Sequence, residues 1–75
     1  MIKLYHGAGT NNTNELTLIG KFENQQEANK AMVEYAHKNN YEVYYVRQWK
    51  MEDNDKVTVC DYGSWSDFCY FEEVD

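Results

Sequence analysis

Apolar positions along the chain change period twice. Ala28, Ala31, Met32, Tyr35 and Ala36 fall at i, i+3, i+4, i+7 and i+8, the single stripe of an amphipathic helix predicted over 25–39. Asn24 stands where an N-cap belongs, and Glu27 three residues later completes a capping-box pattern. Glu23 and Glu27 lie near the positive end of the helix dipole, and His37 and Lys38 near the negative end. Asn39-Asn40 suits the left-handed turn that ends a helix. Three alanines on the buried stripe imply a close approach to a sheet.

Before and after the helix the period drops to two. Strands are predicted over 2–6, 15–22, 41–51, 56–62 and 68–73. Leu16, Leu18 and Phe22 alternate in the second, and Val57 and Val59 alternate with Thr58 and Cys60 in the fourth. Glu52-Asp53-Asn54-Asp55 reads as a polar turn, and Gly63-Ser64-Trp65-Ser66 as a break. The order β-β-α-β-β-β gives the α+β class, one antiparallel sheet of four or five strands packed on a single helix. Strand order is left open by this pattern. At 75 residues the chain is expected to form a single domain, 1–75, because half that length rarely sustains a core.

One helix is wide enough to cover one face of such a sheet. The strands over 41–51 and 68–73 nevertheless carry apolar side chains on both faces: Tyr41, Val43 and Tyr45 against Tyr44 and Val46, and Phe68 and Tyr70 against Phe71. Rings are therefore expected on an uncovered face, which would mark an interface.

Charge sharpens this expectation. The net charge is −6, and it is unevenly placed. Residues 1–50 hold Glu15, Glu23, Glu27, Glu34 and Glu42 against six bases, whereas residues 51–75 hold Glu52, Asp53, Asp55, Asp61, Asp67, Glu72, Glu73 and Asp75 against Lys56 alone. Such a balance argues against direct binding of nucleic acid, which needs clustered Lys and Arg. It suits docking on a basic partner, or simply solubility. No apolar run reaches the ~18 residues of a membrane span, and no leader-like segment opens the chain, so the expected compartment is the cytoplasm.

Reactive chemistry finds little footing. Gly7-Ala8-Gly9-Thr10 lacks the lysine and following helix of a phosphate loop, and reads as a flexible connection through Asn14. His6 and His37 look isolated. Asp53-Asn54-Asp55 resembles the start of a calcium loop, but Thr58 stands where glycine is needed and Ser64 where a bidentate glutamate belongs. No metal and no cofactor is expected. Cys60 and Cys69 flank the 63–66 break and could face each other in a hairpin; two reduced, half-buried thiols are the expectation. A domain this short has little volume for a catalytic cleft, so no enzyme activity is expected.

Between Asp61 and Asp67 lie Tyr62 and Trp65, rings framed by acids. Trp65 either folds back on the sheet or stands exposed as an anchor within an acidic rim. The candidate partner-binding set is Glu52, Asp53, Asp55, Asp61, Tyr62, Trp65, Asp67, Glu72 and Glu73.

Three stretches carry a resemblance: Phe22-Glu23-Asn24-Gln25-Gln26-Glu27-Ala28, Tyr44-Tyr45-Val46-Arg47, and Asp61-Tyr62-Gly63-Ser64 with aromatics after it. Through them the chain resembles short proteins encoded by phages and mobile elements of Gram-positive bacteria. Many small acidic proteins of that kind inhibit host defence, anti-CRISPR proteins among them. The resemblance implies an acidic inhibitor, and the partner expected on that basis is a basic host protein such as a CRISPR effector nuclease, its nucleic-acid-binding surface blocked by carboxylates in place of phosphates. Two other classes stay open: a self-associating module, here a homodimer through the bare sheet face, and a binder of a small nucleotide-like ligand at the 7–14 loop.

Overall fold

The computed structural model describes residues 1–9, 13–43, 46–64 and 67–74. It contains β1 (Ile2–Ala8), a 3-10 turn (Thr13–Glu15), β2 (Thr17–Phe22), α1 (Gln25–Lys38), β3 (Arg47–Met51), β4 (Asn54–Asp61) and β5 (Asp67–Glu73). The predicted β-β-α-β-β-β order holds, and the fold is α+β, one helix on a five-stranded sheet whose paired strands are all antiparallel.

Local chemistry fixes both helix ends. Asn24 is extended and its side chain accepts the Glu27 N–H at 2.9 Å. At the other end the Asn40 N–H reaches the His37 carbonyl at 3.0 Å and the Tyr41 N–H reaches the Ala36 carbonyl at 2.9 Å. That is a Schellman motif, and Asn40 supplies its left-handed residue at φ 67°. The buried stripe is Ala28, Met32 and Ala36. It lies chiefly over β1 and β2.

The strand order is β2-β1-β5-β4-β3. The first and last strands are neighbours, paired from Ile2↔Glu73 to Ala8↔Asp67. This pairing carries β1 past the predicted end at His6. β2 starts later than predicted because the 3-10 turn holds the preceding residues, with the Leu16 N–H on the Thr13 carbonyl.

The long strand predicted over 41–51 shrinks to Arg47–Met51. Residues 41–43 are not strand, and Tyr44 and Tyr45 lie outside the described residues. The Tyr41 N–H is committed to the helix cap, and the following chain has to cross from the β2 side to the opposite edge of the sheet. The β propensity of Tyr41 and Val43 is overridden by that crossover.

Alternation along the strands builds two cores. On the helix side Ile2, Leu4, Cys60, Tyr62, Cys69 and Phe71 meet the helix stripe. On the other side Met51, Val57, Val59 and Tyr70 cluster, with Tyr5, Leu16 and Phe68 packed around them. The expected bare face is thus closed at its centre: Val57 and Tyr70 are fully buried there, on the side of the sheet away from α1. Large rings do the covering. Tyr70 lies along the sheet and donates its hydroxyl to the Ala8 carbonyl at 3.1 Å, and Trp49 meets Phe68 edge-on at 6.0 Å. Leu16 folds over Gly7, where a Cβ would come within 2.6 Å of Leu16 Cδ2. Among the described residues of this face, the large apolar side chains that stay exposed are on the edge strands, Leu18 on β2 and Trp49 on β3. Both edges carry a register irregularity and a lysine (Lys21, Lys50), features that discourage strand addition.

The two kinds of leucine separate core from rim. Leu4→Ala is expected to destabilise the protein by about 2–5 kcal/mol and Leu18→Ala by no more than ~0.5 kcal/mol, read from urea unfolding midpoints.

Candidate functional site

The described carboxylates of the last third are close in sequence but divided in space. β4 and β5 run antiparallel, with Val57 opposite Glu72 and Cys60 opposite Cys69. Asp55, at the start of β4, and Asp61, at its end, are therefore ~20 Å apart at ~3.3 Å per residue. Glu52, Asp53, Asp55, Glu72 and Glu73 share one end of the sheet, while Asp61, Tyr62 and Asp67 share the other.

At the first end, Glu52 and Asp53 form the turn between β3 and β4, and both are exposed, as are Asp55 and Glu73. The turn is held from within: Asn54 Oδ1 accepts the Lys56 N–H at 3.1 Å. Glu72 is half-buried and engaged. It accepts the Tyr5 hydroxyl at 2.8 Å and stands opposite Lys3 in the β1–β5 register. Burial, followed by this hydrogen bond and the Glu72 charge, pushes the Tyr5 hydroxyl up to about 12. Lys56 and Glu73 line the same shallow hollow beside Met1. Glu52, Asp53, Asp55 and Glu73 all face water.

The second end is closed. Asp61 is 9% exposed; it accepts the Gly63 N–H at 3.0 Å and the Arg47 guanidinium at 3.1 Å. The Gly63 N–H and the Arg47 charge hold its carboxyl below the usual range, against the opposing pull of burial. Gly63 makes this turn at φ 102°, a conformation that side chains rarely adopt. Tyr62, expected as an exposed ring, is 2% exposed because β4 aims it at the helix side of the sheet. Asp67 is half-buried at the start of β5, and its N–H reaches Ser64 Oγ at 3.4 Å. Trp65 lies outside the described residues. The structure thus places Asp61 and Tyr62 in the folded framework and leaves Glu52, Asp53, Asp55 and Glu73 accessible.

His6 is not isolated. Its Nε2 shares a hydrogen bond of 2.8 Å with the Tyr62 hydroxyl, and its Nδ1 meets the Tyr35 hydroxyl at 3.4 Å. Both ring nitrogens thus have a tyrosine hydroxyl as partner. Tyr41 adds an edge-on contact to Tyr62 at 5.9 Å. The signal was present in the alternation: Ile2, Leu4 and His6 share a face, and Tyr35 lies on the helix stripe. These contacts join β1, α1 and the end of β4. Reactive groups here are biased towards their protonated forms. Burial pushes Tyr62 up to about 12, Cys60 up to about 11 and Cys69 up to about 12.

Exposed apolar side chains concentrate on one stretch of chain. Val33, Tyr41, Val46 and Trp49 run from the outer face of α1 through the crossover to β3. Val33, Tyr41 and Val43 line a groove of about 470 Å³ beside the helix C-terminus. Trp49, 43% exposed, lies three positions before Glu52, with the Arg47 guanidinium 6.0 Å from its ring centre. Of the two candidate rings in the sequence, Tyr62 is buried and Trp65 lies outside the described residues, whereas Trp49 on β3 is exposed.

Among the described residues no helix is long and apolar enough to cross a membrane, and no group of three His, Cys, Asp or Glu side chains is placed to hold a metal ion.

Two titrations check this geometry. Above about pH 10 an unfolded tyrosine loses its proton while Tyr5 and Tyr62 retain theirs to about 12, so stability should fall across that interval. Tyrosinate absorbance should show Tyr5 and Tyr62 ionising late, and Tyr5→Phe and Tyr62→Phe should each remove part of that late absorbance. For Asp61 the sign is opposite. Its lowered carboxyl stabilises the fold above the ordinary carboxylate value and ceases to do so as pH falls through the folded one. Asp61→Asn should lower the urea midpoint at pH 7 and flatten its decline below about pH 4. Comparison of the chain with family models, curated proteins and solved structures gave no match, so the site is read from its own geometry.

Proposed function

We propose that the chain is a non-catalytic binding protein that docks its acidic sheet end on a basic surface of another protein. The observation that carries this reading is the presentation of Glu52, Asp53 and Asp55 together, exposed, on and beside a tight turn of a paired hairpin. Such a turn holds its charges in place before contact, which reduces the ordering cost of binding. Exposed ion pairs contribute little each, so an apolar anchor is also required. Trp49 fills that role three positions from the turn; Tyr62, buried under the helix, does not.

The resemblance to small acidic proteins of phages and mobile elements suggests the partner class. We take it to be a host defence protein with a basic nucleic-acid-binding surface, such as a CRISPR effector nuclease, and the action to be inhibition by occupying positions otherwise filled by phosphates. The raised thiol and tyrosine values favour a binding role over nucleophilic chemistry.

Capture of partners from a bacterial lysate along a salt gradient tests this reading. A basic protein should be retained at low salt and released as salt rises. Combined reversal of Glu52, Asp53 and Asp55 to Lys should abolish retention, and Trp49→Ala should weaken it by ~30-fold, the equivalent of ~2 kcal/mol. Asp67→Lys at the opposite end should have little effect. Retention that ignores the triple reversal and remains constant across the gradient contradicts charge-led docking. A dimer in sedimentation with no captured partner contradicts it too, in favour of self-association.

A further inference from the structure

Cys60 and Cys69 stand directly opposite each other in the β4–β5 register, both fully buried on the helix side of the sheet. Opposed residues of an antiparallel pair have Cα atoms ~4.5–5.5 Å apart, within the ~4.4–6.8 Å that a disulfide spans. Both are free thiols, and the neighbouring Cys60 is one of the influences raising Cys69. The Cys60 thiol is directed at Met32 Sδ on α1, 3.2 Å away. Three sulfur atoms thus link the centre of the helix to two adjacent strands.

We propose that Cys60 and Cys69 are a dithiol switch, oxidised by a small disulfide such as oxidised glutathione to a cross-strand disulfide that locks the β4–β5 hairpin. One cysteine, as its thiolate, attacks a glutathione sulfur, forming a mixed disulfide and releasing one glutathione thiolate. The second cysteine attacks the protein-bound sulfur of that mixed disulfide and releases the other. Two protein thiols are oxidised, one glutathione disulfide is reduced to two glutathione thiols, and the two cysteine protons end on them.

Burial sets the pace. Neither sulfur reaches solvent in the closed fold, so the first attack follows a local opening of the hairpin or the helix above it. The second is intramolecular and fast, because the register already places the partner opposite. The product closes the 61–68 segment, which contains Asp61, the ion partner of Arg47 on β3, and Tyr62, the hydroxyl partner of His6. It also draws Cys60 Sγ towards β5 and away from Met32, so oxidation is felt at the helix as well as in the hairpin.

Reduced protein is incubated with oxidised glutathione in urea below the unfolding transition, then quenched in acid, unfolded, alkylated and weighed intact. The expected product has lost two hydrogens, takes up no alkylating agent, and unfolds at a higher urea midpoint than the reduced protein. Cys60→Ser and Cys69→Ser should each stop at a single glutathione adduct. A wild-type chain carrying two glutathiones, or retaining two alkylatable thiols, overturns the proposal. So does a disulfide whose formation lowers the midpoint, since the native register would then not accommodate it. Should either variant fail to fold, the wild-type mass and the two midpoints decide the matter alone.

Discussion

The pairing of the first strand with the last is the constraint on which the remaining structure depends. β1 and β5 are joined over Ile2↔Glu73 to Ala8↔Asp67, nearly the full sequence apart. This places β5 in the middle of the sheet, where it contributes Tyr70 to one core and Phe71 to the other, both buried. Closing so long a loop is entropically costly, and the return comes from burying large rings on both faces. With β5 central, the β3–β4 hairpin becomes the far wing of the sheet, beyond the strands that α1 chiefly covers.

That arrangement also sorts the charges. Eight carboxylates are clustered in the last 25 residues of the sequence, but the reversal between β4 and β5 sends the described ones to opposite ends. At one end Asp61 is taken into the structure by Arg47 and the Gly63 N–H. At the other, Glu52 and Asp53 are left on a tight turn with Asp55 beside them at the start of β4. A single run of acidic residues therefore serves two purposes, one closing a turn and the other presenting charge.

The legible parts of the fold were those set by near neighbours. Asn24 with Glu27 and the Asn39-Asn40 pair mark the helix ends through contacts a few residues long, and the structure uses them as expected. Strand alternation separated Phe71 from Phe68 and Tyr70 correctly. Strand order was not legible, since nothing local states that β5 inserts beside β1. The missed features follow from that. A count of helix width against sheet width implied an open face, but it left out the rings' own reach: Tyr70, Phe68 and Tyr5, with Leu16 folded over Gly7, close the centre of that face. The Tyr62 ring sits where a helix-side position of β4 must, and only the sheet geometry brings it to His6.

Native-state amide hydrogen exchange by NMR addresses the central pairing directly. If β1 and β5 hold the sheet together, amides of Leu4, Tyr70 and Phe71 exchange only through global unfolding, and those of β3 exchange through smaller local openings. Slowest exchange in β3 or α1, with β5 opening on its own, would contradict the account.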